Sequence, residues 1–379
     1  MTQTRSFAKP IRTLVIKIGS SILAGENGLY SDHINALASQ IAKLKAQIPN
    51  IVIVSSGAVA SGFKLLGFKS RPKDIISKQA SAAVGQARLI WTYEQAFSKH
   101  NLNVAQILLT KNDLANRKGF LYARSALKKL LELNVIAIIN ENDTIVIDEL
   151  KYIETFGDND NLGAMVAGIV DADLLLILSD VNGLYTANPS EDKNAMLIHE
   201  VKYIDEKIMS LAGESVSKVG TGGMKSKLNA TKKALSIGCD VAIIKGSEAQ
   251  NIQRFFAGEQ IGTYFSHITH HAPLKKRKFW LQNATIPKGS VIIDDGAKKA
   301  ILAHKSLLAK GIRGCEGRFA AGDVVLLVDT KNQEIARAKV RYSSNEILKI
   351  MGFDSSEISK ILGYKFCDEI VHIDDVSLL

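Results

Sequence analysis

Three cysteines in 379 residues, Cys239, Cys315 and Cys367, stand far apart with no C-x-x-C pair, which leaves no basis for a disulfide framework or a zinc knuckle and fits a reducing compartment. No apolar run approaches the roughly 18 residues that a membrane-spanning helix needs. Residues 1–10 are polar and lack the apolar segment of a signal peptide, so a soluble cytoplasmic protein is expected. Internal repeats and low-complexity tracts are missing too. There is no Walker A loop, because that pattern requires Gly immediately before its Lys and Met224 precedes Lys225.

What is present is ordinary in bulk. Hydrophobic residues make up 46% and charged residues 23%, the balance of a globular protein rather than a disordered one. The length predicts two or three domains. Net charge is +10, and from Lys275 onward eighteen Lys and Arg face thirteen Asp and Glu. The C-terminal quarter is therefore the more basic per residue, which permits an RNA-facing surface.

The first anomaly is Thr13-Leu14-Val15-Ile16-Lys17-Ile18-Gly19-Ser20-Ser21. Apolar residues on both alternating faces predict a parallel strand buried on both sides, yet Lys17 sits inside it. A buried ammonium requires a carboxylate partner or a path past the strand end. The small residues after it form a turn at the carboxyl end of the strand, where open α/β sheets bind ligands. A helix from Ser31, a second buried strand at 51–54, and the ending Ser55-Ser56-Gly57-Ala58 repeat the arrangement. This β-α-β order predicts a parallel sheet with a right-handed crossover. Ser and Gly there either cap the helix expected at 59–66 or line a polar pocket.

Further along, helices are expected at 73–99 and 117–133, and strands at 104–109 and 135–139. The last runs into Asn140-Glu141-Asn142-Asp143, readable as a cation or ammonium site or as a solvated turn. Gly157-Asp158-Asn159-Asp160-Asn161 opens another helix with more carboxylates and amides than one cap requires. A strand at 174–178 ends in Ser179-Asp180. The second anomaly is 218–227, where Thr221-Gly222-Gly223-Met224-Lys225-Ser226-Lys227 opens a helix with two lysines in its first turn. A helix N-terminus is already partly positive, so cations there are disfavoured unless they share an anion.

Periodicity lapses between Gly262 and Lys278, through His267, His270 and His271 and then a basic run. With no carboxylate or cysteine beside these histidines, the stretch reads as a linker rather than a metal site. The expected domains are 1–265 and 279–379, joined by 266–278. Short β-type segments at 290–293, 324–328 and 335–340 make the second domain small and β-rich.

Two strand-end Ser/Gly turns, Lys17, a lysine-bearing helix start and two Asp/Asn clusters at one sheet edge suit phosphoryl transfer, which is mainly positioning and charge stabilisation. An acceptor that is already a carboxylate needs no general base. The runs V-I-K-I-G-S-S, V-S-S-G-A, I-N-E-N-D, F-G-D-N-D-N-L, L-S-D-V-N-G-L-Y and G-T-G-G-M-K-S-K closely resemble those of the glutamate 5-kinases, a family of the amino acid kinase fold. The region from Phe279 resembles an RNA-binding-type PUA domain.

The resemblance implies an open, mainly parallel α/β sheet between helices and a PUA-like C-terminal domain. It also implies that Lys17 and Lys227 bracket the transferring phosphoryl group with Asp160 holding both, and that Ser56, Asp143 and Asn159 bind glutamate. Lys17, Ser179, Asp180 and 221–227 (Thr221, Gly222, Gly223, Met224, Lys225, Ser226, Lys227) would line the ATP site, with Mg²⁺ carried mainly on ATP oxygens. ATP-dependent phosphorylation of the glutamate γ-carboxylate, as the first step of proline biosynthesis, is the implied activity. Feedback inhibition by proline, RNA binding through the PUA-like domain and a homo-oligomer, dimer or tetramer, are implied with it. Two departures stand out: the segment between Asp143 and Asn159 is longer than the family leads one to expect, and Ser226 stands where many members carry Thr. Two other readings remain at this stage. One is an RNA-binding or RNA-modifying protein defined by its basic C-terminal domain. The other keeps the fold but changes the acceptor to aspartate, N-acetylglutamate or a nucleoside monophosphate.

Overall fold

A computed structural model describes residues 5, 7, 9–25, 28–145, 159–212, 223–267 and 273–379. The chain divides into two compact units, Met1–Pro273 and Leu274–Leu379.

In the first unit the labelled elements are β1 (Thr13–Ile18), α1 (Ser31–Leu44), β2 (Asn50–Val54), α2 (Ala58–Gly62), α3 (Ile75–Ser98), β3 (Val104–Leu109), α4 (Arg117–Glu132) and β4 (Ile136–Glu141). They continue with α5 (Asn159–Val170), β5 (Leu174–Ser179), β6 (Glu200–Val201), α6 (Met224–Leu235), β7 (Asp240–Lys245) and β8 (Thr263–Phe265). The strands form an eight-stranded sheet in the order β3-β4-β2-β1-β5-β7-β8-β6. From β3 to β7 every pair is parallel, and β8 turns antiparallel to β7. The open, mainly parallel sheet is therefore as the sequence leads one to expect.

Pleating decides where Lys17 goes. Leu14, Ile16 and Ile18 pack on one face with Ile34, Leu37 and Ile41 of α1 and Leu89, Tyr93 and Phe97 of α3. Lys17, one residue out of phase, takes the opposite face, beneath α5. A Cβ built on Gly163 of α5 would lie 3.4 Å from Lys17 Cβ, so the helix rests directly on the lysine stem. Register then aligns the strand ends: Lys17 is level with Val54 and Ile177, Val54 with Ile139, and Ser179 with Lys245. Ser55-Ser56, Asn140 and Ser179 thus follow the last core residues along one edge.

Local details depart from the sequence reading in three places. The helix expected at 59–66 is α2 followed by a 3-10 turn, Phe63–Leu66. A short helix at Lys111–Ala115 escaped notice although Thr110 and Asp113 form a reciprocal capping box. Strand β4 extends through Asn140 and Glu141, so Asn140 is a buried strand residue rather than part of a solvated turn.

The second unit starts with α7 (Lys276–Asn283), whose first three residues fall in the stretch expected as linker. Strands β9 (Gly289–Ile293), β10 (Ile312–Gly317), β11 (Val324–Asp329), β12 (Glu334–Lys339) and β13 (Val376–Leu378) make a sheet in the order β10-β9-β11-β12-β13. Val291, Ile293, Val325, Leu327, Ala336 and Ala338 form its own core, closed by Ile347 and Ile350 of a helix at Ser344–Ile350. Among the described residues no helix is long and apolar enough to cross a membrane.

Candidate active site

Lys17 and Lys227 come from elements more than two hundred residues apart and meet at one carboxylate. Lys17 Nζ lies 2.6 Å from Asp160 Oδ1, and Lys227 Nζ lies 3.2 Å from Oδ2. Asp160 is fully buried in the first turn of α5, and the lysines are 6% and 7% exposed. Burial pushes the Asp160 carboxyl upward, but the charges and hydrogen bonds of the two lysines outweigh it and hold the group below the usual carboxylate range. Two cations on one anion leave the cluster with a net positive charge. The first turn of α6, which carries Lys227, contains no acidic residue. The partial positive charge of a helix start adds to the pull on an anion.

The amide side of the site is equally specific. Gly57 caps α2 at φ +100°, in the left-handed region that glycine takes without strain, and so aims the Ser55-Ser56 turn inward. Asn159 Nδ2 donates toward Ser55 O at 2.5 Å, Ser56 Oγ at 2.8 Å and Asn140 Oδ1 at 2.9 Å. With its amino hydrogens committed to these acceptors, the atom Asn159 can offer a ligand is its carbonyl Oδ1. Asp143 is half-buried just beyond β4. Burial raises its carboxyl to about 6, against the opposing pull of Arg71.

The structure thus brings together Lys17, Asp160 and Lys227, and separately Ser56 with Asn159. Ser179 is buried and donates to Asp180 Oδ1 at 3.0 Å, with Asp180 itself exposed. Gly223 caps α6, Met224 and Ser226 are half-buried in its first turn, and Lys225 is exposed. Thr221 and Gly222 lie outside the described residues. The same holds for 146–158, which contains the longer segment noted between Asp143 and Asn159. Sequence reasoning did not single out Gln86 or Tyr93, and it took Asn140 only as one member of the run Asn140-Glu141-Asn142-Asp143. Asn140 is 2% exposed within an otherwise apolar strand end, the kind of signal that had flagged Lys17. Among the described residues no group of three or more His, Cys, Asp or Glu is placed to hold a metal. His267 instead turns its Nδ1 to Asp240 Oδ1 at 2.5 Å, and His270 and His271 lie outside the described residues.

Comparison with known proteins gives the family. The amino acid kinase family matches residues 12–245, and the PUA domain matches residues 289–362. A glutamate 5-kinase of Geobacter sp. (strain M21) is 46% identical over 377 residues, covering 99% of this chain and 100% of the relative. Glutamate 5-kinases of Geobacter sulfurreducens, at 46% over 371 residues, and Syntrophotalea carbinolica, at 43% over 367, each cover 97% of this chain and 98% and 97% of their own. The chain belongs to the amino acid kinase family, among the glutamate 5-kinases, with a PUA domain following the kinase domain in sequence.

Proposed function

We propose that the first unit transfers the γ-phosphoryl group of ATP to the side-chain carboxylate of L-glutamate, giving L-glutamyl 5-phosphate as the first step of proline biosynthesis. The observation that carries this reading is the buried Asp160 with one lysine on each oxygen. As the acceptor oxygen forms its bond to γ-phosphorus and the bond to the β,γ-bridging oxygen breaks, negative charge spreads over the moving group and the departing ADP. Lys17 and Lys227 are the residues to stabilise that charge, one fixed by the sheet and the other by a helix start. The acceptor is ionised before it reacts, so no group must remove a proton.

On the glutamate side, the free amino acid brings an ammonium group. Asp143 as carboxylate and Asn159 Oδ1 as acceptor suit it, with Ser56 bonded to Asn159. An N-acetylated glutamate lacks that cation. The start of α6 from Gly223 to Lys227, together with Ser179 and Asp180, fits the nucleotide. Mg²⁺, when bound, would neutralise phosphate oxygens. Thr221 and Gly222 are assigned to the nucleotide side on family resemblance alone. A cytoplasmic location, a homo-oligomer and proline as feedback inhibitor belong to the same proposal.

The test is ADP release with glutamate, aspartate, N-acetylglutamate and a nucleoside monophosphate as acceptors. Glutamate should be turned over fastest, and faster turnover of any other acceptor overturns the reading. A second role is supported by the PUA domain and the basic surplus from Lys275 onward. RNA binding by the whole chain that weakens steeply with salt would support it.

A further inference from the structure

Helix α3 meets the main chain of α2 and the side chains of Asn140 and Ser55. We propose that α3 sets the geometry of the glutamate site and that Gln86 is a positioning residue, acting through Asn140 and Asn159 without touching substrate. The inference rests on the glutamate reading above.

Contact begins with backbone. A Cβ on Gly85 would lie 1.8 Å from Ala58 O, and one on Gly62 would lie 1.9 Å from Ser81 O. Helices α2 and α3 therefore meet main chain to main chain, and α2 is the helix that follows Ser56-Gly57. One residue on from Gly85, Gln86 Oε1 accepts from Asn140 Nδ2 at 2.9 Å. Two turns further, Tyr93 OH lies 3.1 Å from Ser55 Oγ. Positions 86 and 93 are seven apart, so they share one face of the helix. Gln86 is 8% exposed and Tyr93 1%.

The amide orientations are dictated by the backbone. Asn140 Oδ1 accepts from the Glu141 N–H at 2.9 Å, a group that can only donate, so the other end of Asn140 must be its amino group. That amino group faces Gln86, which must present oxygen. In the same way Asn159 Nδ2 meets the carbonyl of Ser55, a group that can only accept. Each amide thus has one possible orientation: Asn159 donates to Asn140 on one side and to Ser55 and Ser56 on the other, Asn140 donates to Gln86, and Asn159 Oδ1 is the remaining acceptor. At its other end Gln86 Nε2 is buried with no acceptor among the described residues. Gln86 is therefore oriented through Asn140, and Asn140 in turn depends on Gln86 for its amino group. Loss of the Gln86 oxygen strands the buried Asn140 amino group and leaves that side chain held at its oxygen end alone. Asn159 then has a less firmly held acceptor, and its Oδ1 no longer meets the ammonium squarely.

A merely structural role would lower stability and leave the two substrates equally affected, so the readout is the split between them. In the full-length protein, Gln86→Met keeps the volume and removes the acceptor. The expected result is a roughly tenfold rise in the KM for glutamate, with kcat within about threefold and the KM for ATP within about twofold. Gln86→Glu returns an oxygen to Asn140 and should bring the glutamate KM back to within about threefold of wild type. Tyr93→Phe, which deletes only a hydroxyl, should raise it about threefold and carries the test should Gln86→Met fail to fold. An unchanged glutamate KM in the folded variants, or equal changes in both KM values, overturns the inference. Wild-type protein that releases no ADP with glutamate overturns instead the reading on which it rests.

Discussion

Asp160 and Asp240 are both sealed inside the first unit, at 0% and 4% exposure, but the partners around them differ in kind. Asp160 holds two lysine ammonium groups, each on a flexible four-carbon stem, at the carboxyl edge of the sheet. Asp240, level with the first residue of β5 at the amino edge, is tied to the Tyr264 hydroxyl at 2.5 Å and to the backbone N–H of His267 at 2.7 Å. Burial and Asp240 itself push the Tyr264 phenol up, so it stays a neutral, fixed donor. The contrast teaches how to read a buried carboxylate. Held by rigid donors it fastens chain to chain, here β8 and the segment after it to β7. Held by two ammonium groups beside a helix start, it leaves a net positive charge, which under the proposed function awaits an incoming anion.

Activity should respond most at the Asp160 cluster. Lys17→Ala or Lys227→Ala should each lower kcat for glutamate-dependent ADP release by roughly 10²-fold or more, as removal of one preorganised donor does. Next comes Asp143. Asp143→Asn should raise the KM for glutamate by roughly 10- to 100-fold, the worth of one charge-assisted hydrogen bond. Because the carboxyl sits at about 6 in the free protein, it takes up a proton as pH falls through that value and loses its attraction for ammonium. The wild-type glutamate KM should therefore rise by about tenfold from pH 7 to pH 5, and in Asp143→Asn that dependence should flatten.

At Asp240 the order of effects should reverse. Asp240→Ala strands a buried hydroxyl and should cost about 3 kcal/mol, a melting temperature lower by about 6–12 °C, with kcat and both KM values within about twofold in the folded protein. Smallest of all should be the effect of ending the chain after Pro273, which keeps Tyr264 and His267 on Asp240 and removes the second unit. Turnover should stay within about twofold of the full-length protein. A large loss would give the second unit a part in catalysis that the kinase residues alone do not explain.

How much of this could be read in the sequence follows from what periodicity encodes. Alternation and apolar runs report burial, so β1, β2, β5 and β7 and the inward face of α1 were legible, as was the conflict posed by a lysine in a buried strand. The helix start with Lys225 and Lys227 was legible for the same reason, an electrostatic rule broken in plain view. Partners are another matter. Nothing in a one-dimensional pattern says that Lys17 and Lys227 share Asp160, since that depends on β1 lying between β2 and β5 and on α5 crossing above it. Gln86 and Tyr93 were hidden because a glutamine or tyrosine on the inner face of a long helix looks like core. The sequence leaves Asn140 open between a cation or ammonium site and a turn, because Asn is a common turn former, and its register with Leu108 of β3 shows it inside the sheet. Tyr264 gave no signal and His267 read as part of a linker, since both are brought to Asp240 by the antiparallel return of β8 and the chain after it.

The most direct test of the account is kcat for glutamate-dependent ADP release by Asp160→Asn, measured on protein shown to be folded. The amide keeps the size of the carboxylate but removes the charge that holds both ammonium groups, so kcat should fall by roughly 10- to 100-fold while both KM values move by less than about threefold. A folded Asp160→Asn protein with wild-type kcat would contradict it.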